Sequence, residues 1–286
     1  MASSILTKAV CSAMQRIAPT ALAGSWDNVG LIIESPIQDS RSANRILLTI
    51  DLTPAVCDEA LSLGARMIVS YHSPIFRPLK SFTLSSPLQT SLLRCAAGGV
   101  SVYSPHSALD GVWGGINDWL LSILCDGDAA LTRPLAVPPD PAVASLGGDG
   151  RRVEFAEPME MAELEGRVKR GLGLSTIQVG YSSARQDRQV RSVAICAGAG
   201  ASMFSAYKEP TDVFFTGEMQ HHDVLEALAK GTHVILCGHT NTERGYLPVL
   251  AAKLRAELEN EAQTVAKLGD VEVRVSKTDE HPLQVV

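Results

Sequence analysis

The stretch Val234-Ile235-Leu236-Cys237-Gly238-His239-Thr240-Asn241-Thr242-Glu243-Arg244-Gly245 joins an apolar run to a polar turn. The apolar run predicts a buried strand, and His239 follows at its end. Glu243 lies four residues later, so the two side chains can face one another if a helix begins here. An imidazole beside a carboxylate suits a divalent metal such as Zn, Mn or Fe. The same letters also fit a capping box between Thr240 and Glu243, which is the commoner meaning of this pattern alone.

Length and composition restrict the class of protein. The chain has 286 residues, 45% of them hydrophobic and 20% charged, enough for one large domain or two modest lobes with a buried core. The formal net charge of −6 argues against a nucleic acid as the main partner, because phosphate binding needs clustered Lys and Arg. The apolar runs are shorter than the roughly 18 residues of a membrane span, so we expect no membrane partner.

The six cysteines are scattered and form no CxxC pair. This pattern predicts free thiols in a reducing compartment, without a disulfide framework or a cysteine-type zinc site. A cytoplasmic location fits these thiols. The Ser- and Ala-rich start, Met1–Arg16, leaves a mitochondrial location open, although its apolar spacing predicts an ordinary first helix.

Strands and helices alternate along the chain, which predicts an α/β fold with mostly parallel or mixed β-sheets flanked by helices. We expect an N-terminal α/β lobe over residues 1–125, a variable connecting segment over 126–190 and a C-terminal α/β lobe over 191–286. Apolar runs predict the main strands over residues 44–52, 66–70, 100–104, 190–197, 212–216, 233–237 and 272–276.

Acids and histidines follow the predicted strands where each strand ends. They are Asp51, His72, His106 with Asp110, Glu218 with His221 and His222, and His239 with Glu243. Five of the seven histidines of the chain are in this set. In open α/β sheets, ligands bind in the crevice outside the carboxyl ends of the strands. The order of residues therefore predicts one site at these ends.

Each of these features also has a simpler explanation. His72 can cap a turn, His106 and Asp110 can form a local hydrogen bond, and Glu218 can cap the following helix. His221 and His222 point about 100° apart on a helix, so at most one faces a site. The small-residue turn Gly198–Ser202 can bind an anion at a helix N-terminus, but a tight strand-to-helix turn is the commoner explanation.

Six blocks in register carry a family resemblance. They are SWDNVGLII (25–33), TIDLTPAV (49–56), MIVSYHSPIFRPLKSF (67–82), VYSPHSALDGVWGGINDWL (102–120), FFTGEMQHHDVLEA (214–227) and GHTNTERGYLP (238–248). Together they resemble the NIF-three-like family, also named GTP cyclohydrolase 1 type 2 homologues and including the bacterial YbgI proteins. The resemblance implies a two-lobed α/β fold with a two-metal site in a cleft, and a homo-oligomer, either a dimer or a ring of dimers. It implies the metal ligands His72, Asp110, His239 and Glu243, with Glu243 bridging the two metals.

The chain departs from the bacterial pattern at Tyr71. That pattern has two successive histidines before Pro, whereas this chain reads Tyr71-His72-Ser73-Pro74, as in the eukaryotic branch. A ligand of the second metal is therefore missing. We expect one firmly held metal and a weak or empty second position.

The resemblance implies a metal-dependent hydrolase acting on a nucleotide-like small molecule, with GTP as the substrate in the family name. A metal at such a site generates a nucleophile from water and polarises the electrophile. His106 and His222 are the candidates for catalytic acid/base work, because imidazole titrates near neutral pH. The alternative is a non-catalytic metal-binding scaffold that meets protein partners in transcriptional co-regulation, which adds the nucleus to the expected locations.

Overall fold

The computed structural model describes residues 4–37, 44–125, 127–185, 187–264, 268, 270–284 and 286. The chain divides into two compact units, and we describe each by itself. Unit 1 comprises Met1–Leu109 and Tyr246–Pro282, and unit 2 comprises Asp110–Gly245 and Leu283–Val286. Among the described residues, no helix has both the length and the apolar character that a membrane span requires.

The described residues form eleven strands and ten α-helices. The strands are β1 (Gly30–Ile33), β2 (Asn44–Thr49), β3 (Met67–Ser70), β4 (Ser101–Ser104), β5 (Ala129–Arg133), β6 (Arg151–Glu160), β7 (Gln178–Gly180), β8 (Gln189–Ala199), β9 (Val213–Glu218), β10 (His233–Leu236) and β11 (Val271–Val275). The helices are α1 (Ile5–Ile17), α2 (Pro54–Ser62), α3 (Pro87–Ala97), α4 (His106–Gly111), α5 (Ile116–Leu124), α6 (Pro141–Ala144), α7 (Met161–Leu172), α8 (Ala201–Ala206), α9 (His221–Ala229) and α10 (Leu247–Thr264).

Unit 1 contains a five-stranded sheet with the order β1-β4-β3-β2-β11. The neighbours β4, β3, β2 and β11 are parallel, and β1 pairs antiparallel with β4. Helix α2 begins at a cap in which the Thr53 side chain accepts from the Val56 N–H, with Pro54 in the first turn. Because β2, β3 and β4 are parallel, the residues after them lie along one edge of this sheet.

Unit 2 contains a six-stranded sheet with the order β5-β6-β8-β9-β10-β7. Its centre, β8-β9-β10, is parallel, whereas β5, β6 and β7 join by antiparallel pairing. The residues that follow the three parallel strands therefore meet at one edge. The prediction of mixed sheets flanked by helices is confirmed.

A fully buried arginine ties unit 2 together at the start of β6. The Arg151 side chain is 0% exposed, and its Nε and Nη2 donate to the two carboxylate oxygens of Asp118, each at 2.7 Å. Its guanidinium also donates to four backbone carbonyls, those of Gly111, Val112, Gly148 and Gly150. The guanidinium carbon lies 4.4 Å from the centre of the Trp113 ring. A buried charge is tolerated when it is paired and hydrogen-bonded in this way.

The structure divides the chain at places that we did not predict. The predicted boundaries near residues 125 and 190 differ from those at 109/110 and 245/246, because α10 and β11 return to unit 1 and β11 pairs with β2. The segment 126–190, expected to be a variable connection, supplies β5, β6, α7 and β7 to unit 2. Asp126 lies outside the described residues, as do Met1–Ser3 of the predicted first helix.

Arg151→Met is expected to destabilise the protein by about 3–5 kcal/mol, because the Asp118 carboxylate and four carbonyls lose their buried partner. Chemical denaturation measures the loss. Arg191→Met is the matched control, since Arg191 is an exposed arginine on β8 of the same unit. Arg151→Lys keeps the charge but loses the fork of donors, and should fall between the two. Equal stability of R151M and R191M would contradict the role assigned to Arg151.

Candidate functional site

In unit 2, His239 lies between two carboxylates directly after β10. Its Nδ1 is 2.9 Å from Glu218 Oε1, and its Nε2 is 3.3 Å from Glu243 Oε1. With the Nδ1–H donating to Glu218, the Nε2 lone pair points toward Glu243. Two ligands of one tetrahedral zinc at ~2.1 Å each are roughly 3.4 Å apart, so this spacing fits a shared metal. The pair can hold a divalent ion, and Glu218 orients the ring as carboxylates commonly do behind metal-bound histidines.

A 3-10 turn, and not an α-helix, brings the pair together. Residues His239–Thr242 form a 3-10 helix, preceded by Gly238 at φ 85°, a conformation that favours glycine. Thr240 accepts a hydrogen bond from the Arg244 guanidinium at 3.1 Å. This turn places the side chains of His239 and Glu243 in contact. The cap and the metal pair are compatible, because the turn is made by the backbone while the Glu243 side chain points to His239.

Gly198 packs directly against the two side chains. A Cβ at Gly198 would lie 2.7 Å from Glu243 Oε1 and 2.9 Å from His239 Nε2. Its N–H donates to Thr242 Oγ1 at 2.9 Å, and its carbonyl accepts from Thr216 Oγ1 at 3.0 Å. These bonds favour the tight-turn explanation of the Gly198–Ser202 motif over the anion-binding one, since the N–H of Gly198 is already used.

Asp110 belongs to the same unit, and its charge acts on Cys196, as does the charge of Glu243. Burial, and then the negative charges of Asp110, Asp149 and Glu243, raises the pKa of the Cys196 thiol well above its ordinary value. The buried Asn117 donates to the Asp110 carbonyl at 3.1 Å and accepts from the Ala197 N–H at 2.9 Å. Asn117 thus fixes the backbone of Asp110 to the end of β8.

In unit 1, His72 follows β3 and contacts a carboxylate in the same way. Its Nδ1 is 2.9 Å from Asp51 Oδ1, a residue that follows the neighbouring parallel strand β2. Tyr71 is 2% exposed, and its ring centre lies 5.0 Å from that of His72. The position where the bacterial pattern has a further histidine is therefore filled by a buried aromatic ring.

His106 forms a dyad with Asp27 beside His72. Its Nδ1 lies 2.8 Å from both oxygens of Asp27, which also accepts from the Ser107 N–H and hydroxyl. Burial raises the pKa of the Asp27 carboxyl, but these hydrogen bonds outweigh burial and leave the pKa below its ordinary value. His106 has φ 24°, a strained conformation of the kind found at functional sites. The His106 ring centre is 5.4 Å from that of His72.

His222 belongs to unit 2. It is exposed in the first turn of α9, and its ring neighbours that of His221 at 5.5 Å. Its acid/base role stays a prediction. Sequence reasoning missed Asp27, Asn117 and the close approach of Gly198. Asp27 stood within the SWDNVGLII block and Asn117 within the VYSPHSALDGVWGGINDWL block, so both could have been chosen there.

A model of the Duf34/NIF3 (NGG1p interacting factor 3) family matches residues 5–282. A Schizosaccharomyces pombe protein, Protein NIF3 homolog, is 42% identical over 264 residues, which are 92% of this chain and 91% of the relative. The NGG1-interacting factor 3 of Saccharomyces cerevisiae is 36% identical over 270 residues, covering 91% of this chain and 90% of the relative. The chain therefore belongs to the Duf34/NIF3 family, and the predicted family is confirmed.

A solved structure has the same fold. The crystal structure of a Bacillus cereus protein related to NIF3 superposes with a TM-score of 0.77 over 98% of this chain and 99% of that one. The two sequences are 20% identical, so the likeness concerns the fold alone.

Gly198→Ala is expected to weaken metal binding about 10-fold or more, because the new methyl group displaces the pair that it touches. Gly173→Ala is the matched control: Gly173 has φ 67°, close to the 64° of Gly198, but a Cβ there meets nothing within 4 Å. Both variants suffer similar backbone strain, so calorimetric titration with Zn or Mn separates strain from contact. Equal metal affinity in the two variants would contradict the close approach.

Proposed function

We propose that the protein is a divalent-metal-dependent hydrolase of a nucleotide-like small molecule, with His72, Asp110, His239 and Glu243 as metal ligands. The observation that carries this proposal is the row Glu218–His239–Glu243, in which one ring nitrogen is oriented and the other is presented beside a buried carboxylate. Two imidazoles and two carboxylates suit Zn, Mn or Fe. A bound ion of this kind supplies Lewis-acid activation of water and of the electrophile.

The residues of unit 1 supply the proton chemistry in this proposal. Asp27 accepts the Nδ1–H of His106, which leaves Nε2 to take a proton from the nucleophile and to return it to the leaving group. Asp27 stays ionised at neutral pH because its pKa lies below the ordinary value. The carboxylate therefore both orients the imidazole and stabilises its protonated form.

The alternative is a metal-stabilised scaffold for protein partners. It is favoured by the name of the Saccharomyces cerevisiae relative, NGG1-interacting factor 3, which describes that protein as an interaction factor. Tyr71 in place of a ligand also fits a lost or altered activity. A homo-oligomer, and locations in cytoplasm, nucleus or mitochondria, remain parts of the proposal that either function can accommodate.

Metal content tests the ligand set. Protein purified without chelator is expected to hold one firmly bound metal per chain by elemental analysis, because the second position lacks the ligand replaced by Tyr71. Glu243→Gln and His72→Ala should lose the metal. Glu226→Gln should keep it, since Glu226 is an exposed residue of α9 that pairs with Lys230 at the end of this helix. Two tightly held metals per chain would contradict the single firm site.

Turnover of GTP and other phosphorylated nucleotides with added Mn or Zn tests the hydrolase. Wild type should be active and E243Q inactive; a wild type as inert as E243Q across the panel would favour the scaffold.

Asp27→Asn is expected to lower kcat about 100-fold or more while the metal content stays at the wild-type level, because the amide no longer holds His106 in its reactive form. Asp58→Asn is the control, since the Asp58 side chain is 61% exposed and pairs with Arg94 on the surface. Loss of metal in D27N, or unchanged kcat, would count against the dyad.

A further inference from the structure

Unit 1 contains a cavity beside His72 that the proposed chemistry does not yet use. Its volume is about 570 Å³, within the range of small-molecule pockets. His72 and Asp51 line the cavity. Apolar side chains line it as well, among them Leu52, Ile75 and Phe76. A pocket of this composition accepts an organic molecule rather than a bare ion.

Residues of the loop after His72 line the cavity, and contacts with other parts of unit 1 hold this loop in place. The Asn28 amide, from the SWDNVGLII block, donates to the Ile75 carbonyl at 2.6 Å. The Phe76 ring lies edge-on to Trp26 at 6.0 Å and to His106 at 6.1 Å between ring centres, yet Phe76 is 49% exposed. Its position is thus fixed by packing while part of the ring stays available to a flat ligand.

The cavity lining also includes a cation. Of the described residues that line the cavity, Arg77 is the one with a permanent positive charge. A guanidinium matches a phosphate or carboxylate with two parallel hydrogen bonds, which gives both affinity and orientation. Glu280 also lines the cavity and opposes an anion, while Asp51 is engaged by His72.

We infer that this cavity is the substrate-recognition subsite, which takes a flat ring against Phe76 and a phosphomonoester on Arg77. The inference rests on the proposed function in placing the ligand beside a metal-ligand histidine. It adds the residues that recognise such a substrate, Phe76 for the flat ring and Arg77 for the phosphate. Arg77 and Phe76 belong to the block IFRPLKSF, to which neither the metal set nor the dyad assigns a role.

Direct binding tests the subsite without requiring turnover. Isothermal titration of metal-loaded protein compares four nucleoside 5′-monophosphates with their unphosphorylated nucleosides. Wild type should bind each monophosphate about 10- to 100-fold more tightly than its nucleoside, the effect of charge-assisted hydrogen bonds. Arg77→Ala should abolish this preference. Glu280→Gln should strengthen monophosphate binding several-fold, because it removes an opposing charge.

Lys80→Ala is the matched control, since Lys80 is an exposed cation of the same loop that does not line the cavity. It should keep the wild-type preference. Phe76→Ala should weaken monophosphate and nucleoside alike, because it removes the ring contact and leaves Arg77 in place. A preference that persists in R77A, or that K80A removes equally, would overturn the subsite, as would a wild type that binds neither class of ligand.

The outcomes separate this inference from the hydrolase. A wild type that shows the binding pattern but turns over none of the nucleotides contradicts the hydrolase alone. A wild type that turns over nucleotides with a KM unchanged by R77A contradicts the subsite alone.

Discussion

The buried guanidinium of Arg151 is the constraint on which the part of unit 2 around Asp110 depends. It joins the start of β6 to helix α5 through Asp118 and closes on the carbonyls of Gly111 and Val112. Asp110 is the residue before the first of these carbonyls. The buried Arg151 guanidinium tolerates little movement, because each lost hydrogen bond leaves a polar group without water or a partner. Arg151 therefore holds the Asp110 backbone from one side, while Asn117 holds it from the other.

Parallel pairing of the strands brings the candidate site residues of each unit together. In each sheet three neighbouring parallel strands end at a common edge, so residues far apart in sequence become neighbours without any long-range signal in the chain. His72 meets Asp51 through β3 and β2, and His239 meets Glu218 through β10 and β9. This is why the strand-end pattern of acids and histidines could be predicted from periodicity alone. The strand order therefore places a carboxylate beside Nδ1 of His72 and of His239.

Other parts of the structure could not be predicted from the sequence, because each depends on contacts between residues far apart in the chain. The Asp27–His106 contact joins residues 79 positions apart, and the polar turn around Asp27 carries no periodicity that indicates a partner. Gly198 was recognised as a turn residue, but its closeness to Glu243 depends on how β8 passes β10. The return of α10 and β11 to unit 1 changed the predicted boundaries, since local pattern contains no information about which sheet a late strand joins.

The two carboxylates beside His239 show how burial decides between similar groups. The Glu218 side chain is 59% exposed, whereas that of Glu243 is 2% exposed. An exposed carboxylate is stabilised by water and serves well to orient the ring through Nδ1. A buried carboxylate gains most from a cation, because the desolvation cost of its charge is offset only by a nearby opposite charge. Glu243 is therefore the better candidate of the two for holding a metal. A side chain at Gly198 would collide with its carboxylate and with the His239 ring, because a Cβ there would lie within 3 Å of both.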